Sequence, residues 1–143
     1  MSTKRPVIYL TRRERFSAAH RLWSEALSAE QNHALYGPCA REYGHGHNYV
    51  VEVTLSGGVD PETGVIVNLT TVRDAIKELI IEQTDHRHLN HNSELCRGIN
   101  PTAENLVVLF YDVMQKRFGE LLHVVRLRET DKNWVAYRGE QTN

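Results

Sequence analysis

GHGHNYVVEVTL, residues 44–55, is the stretch on which the reading of this chain turns. From His47 onward Tyr49, Val51, Val53 and Leu55 recur at every second position, the period of a half-buried β-strand. His45 and His47 are two apart on the same strand, so both imidazoles leave the backbone on one side and can share a metal ion. A lone His-x-His near a turn is ordinary solvated surface. Here Gly44, Gly46, the upstream Cys39 and a third histidine, His20, favour a metal site.

His20 closes Phe16-Ser17-Ala18-Ala19-His20, the end of a β-branched and aromatic stretch that begins at Val7 and also reads as a strand. Antiparallel to the His45/His47 strand, it would bring three imidazoles together. Between the two strands, Ser24 to Leu35 has helical composition and stops near Gly37-Pro38, in a loop that carries Cys39. Downstream, Gly57-Gly58 and Asp60-Pro61-Glu62-Thr63-Gly64 form a turn cluster, Val65-Ile66-Val67 reads as a short strand, and Asn68 is a helix N-cap.

Leu69, Val72, Ile76, Leu79 and Ile80 then recur at helical spacing until Thr84-Asp85-His86. A second helix is expected after Asn100-Pro101-Thr102, with Leu106, Leu109, Phe110, Val113 and Met114 on its apolar face and Gly119 as terminator. Leu122–Leu127 and Asn133–Tyr137 read as two strands joined by the polar turn Glu129-Thr130-Asp131-Lys132. The order ββααββ predicts an α+β fold, a single domain over residues 1–143 in which an antiparallel four-stranded sheet has both helices on one face. The other face is expected to be apolar and covered by another copy of the chain, which implies a homo-oligomer.

Composition narrows the function classes. Lys and Arg number 17 against 18 Asp and Glu, so net charge offers no general attraction to nucleic acid or to an anionic membrane. No run approaches the roughly 20 apolar residues that span a bilayer, and the first residues lack the apolar core of a secretory signal, so a cytoplasmic location is expected. Two cysteines make no disulfide scaffold, and in a reducing compartment both remain thiols.

Three histidines suit a catalytic zinc site with one open position, while Cys39 as a fourth ligand would give a closed, structural one; the residues alone leave both open. Asp85 can fix the tautomer of His86, and such a pair can activate a thiol; the plainer reading is a capped, solvated helix end, which also serves for His88 and His91. Glu104 reads first as the third residue of a capping arrangement begun by Thr102 or Pro101. Glu129, at a strand end, can accept two parallel hydrogen bonds from a planar amidine-like group. Cys96 is assigned to the core and His33 to the surface.

Taken together, FSAAH at 16–20, Cys39 five residues before GHGHN at 44–48, Asp85-His86, PTAEN at 101–105 and Glu129-Thr130-Asp131 resemble the 6-pyruvoyl-tetrahydropterin synthase family, almost end to end. The resemblance implies a tunnelling fold, in which trimers close a β-barrel through their sheets and stack into a homohexamer. It implies His20, His45 and His47 as zinc ligands, Cys39 as catalytic thiol, and Asp85 with His86 completing the site from a neighbouring subunit. Glu129 would anchor the pterin, with Thr102 and Glu104 lining that pocket. The implied activity converts dihydroneopterin triphosphate to 6-pyruvoyl-tetrahydropterin with loss of triphosphate. Arg12, Arg13, Arg15, Arg21 and Lys132 stay as undecided partners of that triphosphate. Two alternatives stand beside it. One is the related 6-carboxy-tetrahydropterin synthase of deazapurine synthesis, in which the gap from cysteine to His-Gly-His is typically shorter than the Cys39-to-His45 interval. The other is a non-enzymatic zinc-binding oligomer closed by Cys39.

Overall fold

Two 14-residue strands dominate the computed structural model, which describes residues 4–143. β1 (Val7–His20) and β2 (His45–Gly58) pair antiparallel without a break, from Val7 opposite Gly58 to His20 opposite His45. β4 (Leu122–Thr130) adds to β2, and β5 (Asn133–Tyr137) adds to β4, both antiparallel.

Alternation along the strands decides what the sheet buries. Phe16 and Ala18 of β1, Tyr49, Val51, Val53 and Leu55 of β2, and Val125 and Leu127 of β4 point to one side and are buried. Two helical runs cover that side. α2 (Leu69–Ile76) is N-capped by Asn68, whose side chain accepts from the Thr70 amide, and continues through a π-helical turn (Lys77–Ile81) into α3 (Glu82–Thr84). α4 (Ala103–Phe118) is N-capped by Thr102, which accepts from the Asn105 amide, and ends at Gly119 with φ +57°. Val72, Ile76, Ile80, Leu106, Phe110 and Met114 complete the core. Each such side chain taken from water contributes about 1.5–3 kcal/mol.

α1 (Ala29–Tyr36) lies in the insertion between β1 and β2 and carries a reciprocal cap between Ser28 and Gln31. Asn32 organises the segment. It is fully buried, accepts from the Ser24 amide and donates to the carbonyls of Ser24, Leu27 and Ser28. The chain then turns at Gly37 into a short 3-10 helix (Gly37–Ala40) that holds Cys39.

Four expectations need correction. The sheet is mixed and five-stranded in the order β3-β1-β2-β4-β5, because β3 (Arg87–His88) pairs parallel with Ala18 and Ala19. Two residues are too few to show a period. Val65-Ile66-Val67 is no strand: Asp60 accepts from the amides of Glu62 and Thr63 and its amide donates to the Val65 carbonyl, so the loop closes on itself. The open face of the sheet is not an apolar surface either. It presents Arg13 paired with Glu52, Thr11 bonded to Thr54, and Ser17 donating to Asn48. β4 also runs further than expected, past Glu129 to Thr130, with an irregularity in pairing after Arg128.

Candidate metal centre and adjoining cavity

The buried side of β1 and β2 changes character at one end. Where Phe16 stacks on Tyr49 at 4.7 Å the face is core; the next inward positions are Ala18 and His47, then His20 and His45. Pairing of His20 with His45, and of Ala18 with His47, places three imidazoles on one side of two strands. Gly44 makes the approach possible. Its φ is +70°, and a Cβ there would lie 2.1 Å from the His20 carbonyl oxygen.

The rings of His20, His45 and His47 have centroids 4.6–5.3 Å apart, and one ligand nitrogen from each lies within 4.8 Å of the others. His45 Nε2 and His47 Nε2 are 3.2 Å apart. His20 is completely buried. Its Nδ1 lies 2.9 Å from the Pro101 carbonyl, which can only accept, so Nδ1 carries the proton and Nε2 has a free lone pair. That Nε2 is buried with no hydrogen-bond partner. A buried, tautomer-fixed nitrogen aimed among two other imidazoles fits a metal ligand. Burial, and then the neighbouring imidazoles, lowers the His20 pKa to about 4; burial and His45 lower that of His47. Both rings are therefore neutral at pH 7, as metal binding requires. Among the described residues Cys39 is outside this cluster, and a set of three histidines is the ligand pattern that keeps a fourth position for water or substrate.

Next to the histidines is a cavity of about 410 Å³, lined by Leu22, Leu35, Tyr36, Thr102, Ala103, Glu104, Glu129, Asn133, Trp134 and Val135. It unites Thr102, Glu104 and Glu129, which sequence reasoning grouped only through a resemblance. Glu129 bridges cavity and metal centre, its Oε1 lying 3.6 Å from His47 Nε2. Burial, with Glu104 adding to it, raises the Glu129 pKa. Burial raises that of the Cys39 thiol, and the charge of Glu129 adds to it. Cys39 is tied to the segment that leaves the His20 strand, since its carbonyl accepts from the Leu22 amide at 2.8 Å.

Asp85 and His86 stand elsewhere. Asp85 accepts from the Ser17 amide at 2.8 Å and lies 2.9 Å from His86 Nδ1; both contacts hold its carboxyl below the usual range, the amide most strongly. His86 has φ +59° and an 83% exposed side chain, on a groove lined by Ser17, Ala19, Gly46 and Asn48 that His47 also borders. Within one chain this pair does not line the Glu129 cavity. Sequence reading missed Tyr49, whose hydroxyl is 3.2 Å from His20 Nδ1, the Pro101 carbonyl, and the cavity walls Trp134, Asn133, Leu22 and Tyr36. The alternation that places Tyr49 in the core was the only available sign.

Fold and site together define an α+β protein with an open three-histidine centre beside a cavity of small-molecule size. A family model described as 6-pyruvoyl tetrahydropterin synthase matches residues 9–140, and the chain belongs to that family. It is similar to the 6-pyruvoyl tetrahydrobiopterin synthases of Poecilia reticulata, 47% identical over 92% of this chain and 90% of that one, and of Drosophila melanogaster, 42% identical over 96% and 83%. Among solved structures, the 6-pyruvoyl tetrahydropterin synthase of Caenorhabditis elegans superimposes with a TM-score of 0.91 at 33% identity, covering 97% of this chain and 100% of that one.

Proposed function

We propose that this chain is a single-domain, cytoplasmic, zinc-dependent lyase that converts 7,8-dihydroneopterin triphosphate to 6-pyruvoyl-tetrahydropterin and triphosphate. The observation that carries the reading is the unpartnered His20 Nε2, buried among His45 and His47 and next to a cavity walled by Glu129. The names of relatives at 42–47% identity favour the pyruvoyl product over the carboxy one.

The residues divide the work by position. Glu129 would accept the paired donors of the pterin's 2-amino-pyrimidinone edge, and Thr102 and Glu104 would close the same pocket. Bound by His20, His45 and His47, zinc would supply Lewis acidity to the oxygens of the substrate side chain, lowering the cost of removing the adjoining C–H proton. Cys39 would take that proton. Because burial and Glu129 favour its neutral form, the thiolate calls for a cationic neighbour. His86, held by Asp85, fits that part if it comes from an adjacent subunit, because it projects from the open side of the sheet. The reaction is redox-neutral: the side chain is oxidised as the ring is reduced, and triphosphate departs.

This arrangement calls for an assembly, and we assign the homohexamer of the tunnelling fold, with trimers joined edge to edge into a β-barrel. The hydroxyls and charges on the open face of the sheet suit a wetted barrel interior. Incubating the zinc-loaded protein with dihydroneopterin triphosphate, and identifying the pterin by mass spectrometry beside a Cys39→Ala control, tests the reading. The expected product is 6-pyruvoyl-tetrahydropterin, absent in the control. A carboxy-tetrahydropterin, or no turnover with zinc bound, would overturn it.

A further inference from the structure

The open face of the sheet holds an arrangement of arginines to which the steps proposed above assign no role. Val50 of β2 pairs with Arg15 of β1 on one side and Arg128 of β4 on the other. One step along the same face, Glu52 is flanked in the same way by Arg13 and Arg126. Strand spacing puts the two arginines of each row about 10 Å apart at Cα, and the rows lie about 7 Å apart. Four guanidinium groups thus share a patch with one carboxylate, Glu52, whose oxygen lies 3.9 Å from Arg13.

The remaining three arginines have no acid of their own. Among the described residues Arg15 has no ion-pair or hydrogen-bond partner, and Arg126 and Arg128 meet only the ring of Trp134, at 5.2 and 5.9 Å. Arg128 Nε is buried and unpartnered. A guanidinium docked against an aromatic ring is pre-ordered, and its fork of donors matches phosphate oxygens. The cost of the buried, unsatisfied Nε is relieved when an anion accepts from it. Asp85, beside Ser17 on the same strand edge, is already engaged by the Ser17 amide and His86.

We propose that the open face carries a phosphate-binding site, in which Arg15, Arg126 and Arg128 hold a multiply charged phosphate chain. Inorganic triphosphate and a nucleoside triphosphate share the chemistry that these groups recognise. The site stands on the face geometry alone and does not depend on the reaction assigned above.

Titration calorimetry of the zinc-loaded full-length protein with inorganic triphosphate, and separately with GTP, tests this. At low salt we expect saturable binding of one or both. It should weaken about tenfold or more in Arg15→Gln/Arg128→Gln and fall with added salt. Arg12→Gln, whose guanidinium is paired with Glu14 on the other side of β1, should bind as the parent does. Zinc removal by chelator should leave binding in place, which separates this site from the histidine centre. Sedimentation of each variant monitors assembly. No binding by the parent, equal binding by the double variant, or loss of binding on zinc removal would overturn the proposal. A change of oligomeric state in the double variant would do so too, by making the face a subunit contact.

Discussion

The two faces of the sheet are built from the same strands and have almost nothing else in common. On β2, Tyr49, Val51, Val53 and Leu55 are fully buried under α2 and α4, while Asn48, Val50, Glu52 and Thr54 between them look to the open side. The covered face is continuous with the candidate metal centre: the register that buries Tyr49 also turns His47 and His45 inward. At that end of the sheet the apolar core gives way to imidazoles, and burial lowers the pKa of His20 and of His47. The open face keeps its charges because water reaches them. The candidate metal ligands therefore follow the core register, and the charged side chains of Arg13, Glu52, Arg126 and Arg128 follow the other.

The comparison breaks most sharply at the histidines. His47→Ala should abolish stoichiometric zinc binding and lower turnover by well over the 10- to 100-fold typical of losing an outer-shell partner, as measured by elemental analysis and assay. If zinc stays bound, the ligand set is wrong. Next in size, Phe110→Ala, which empties the space against Phe16, should cost about 3–5 kcal/mol in denaturant unfolding. Val50→Ala on the open face should cost far less than its inward neighbours, within about 1 kcal/mol.

A pH series sharpens the contrast. His20 has a folded pKa of about 4 against 6.5 for the free side chain, so the unfolded chain takes up its proton first. Its contribution is complete above pH 6.5 and is lost as pH falls from 6.5 towards 4. Chelator-treated protein should weaken across that window, and His20→Asn, if folded, should flatten the slope. Smallest of all, Glu52→Gln should change stability by less than about 1 kcal/mol, since Arg13 and Glu52 are 3.9 Å apart and Arg13 is exposed.

Most of this was legible because alternation and capping are local. Tyr49 to Leu55, the caps at Asn68 and Thr102, and the stop at Gly119 follow from residues within a turn of one another. So did the convergence of His20 with His45 and His47, once both segments were read as antiparallel strands. What escaped depends on distant partners. β3 exists because Arg87 and His88 find Ala18 and Ala19. Val65–Val67 has strand composition, yet Asp60 closes its loop first. The Pro101 carbonyl that fixes the His20 tautomer is 81 residues away in sequence. The separation of Asp85-His86 from the Glu129 cavity within one chain was likewise invisible in the sequence, except through the family resemblance.

The central claim is that the histidine centre is open and that Cys39 is free for proton transfer. X-ray absorption spectroscopy of the zinc-loaded protein tests it directly. Three imidazole nitrogens at about 2.0–2.1 Å, with the remaining ligand a light atom and no sulfur, is the predicted shell. A zinc–sulfur distance of about 2.3 Å would show that Cys39 closes the site, and would contradict the account.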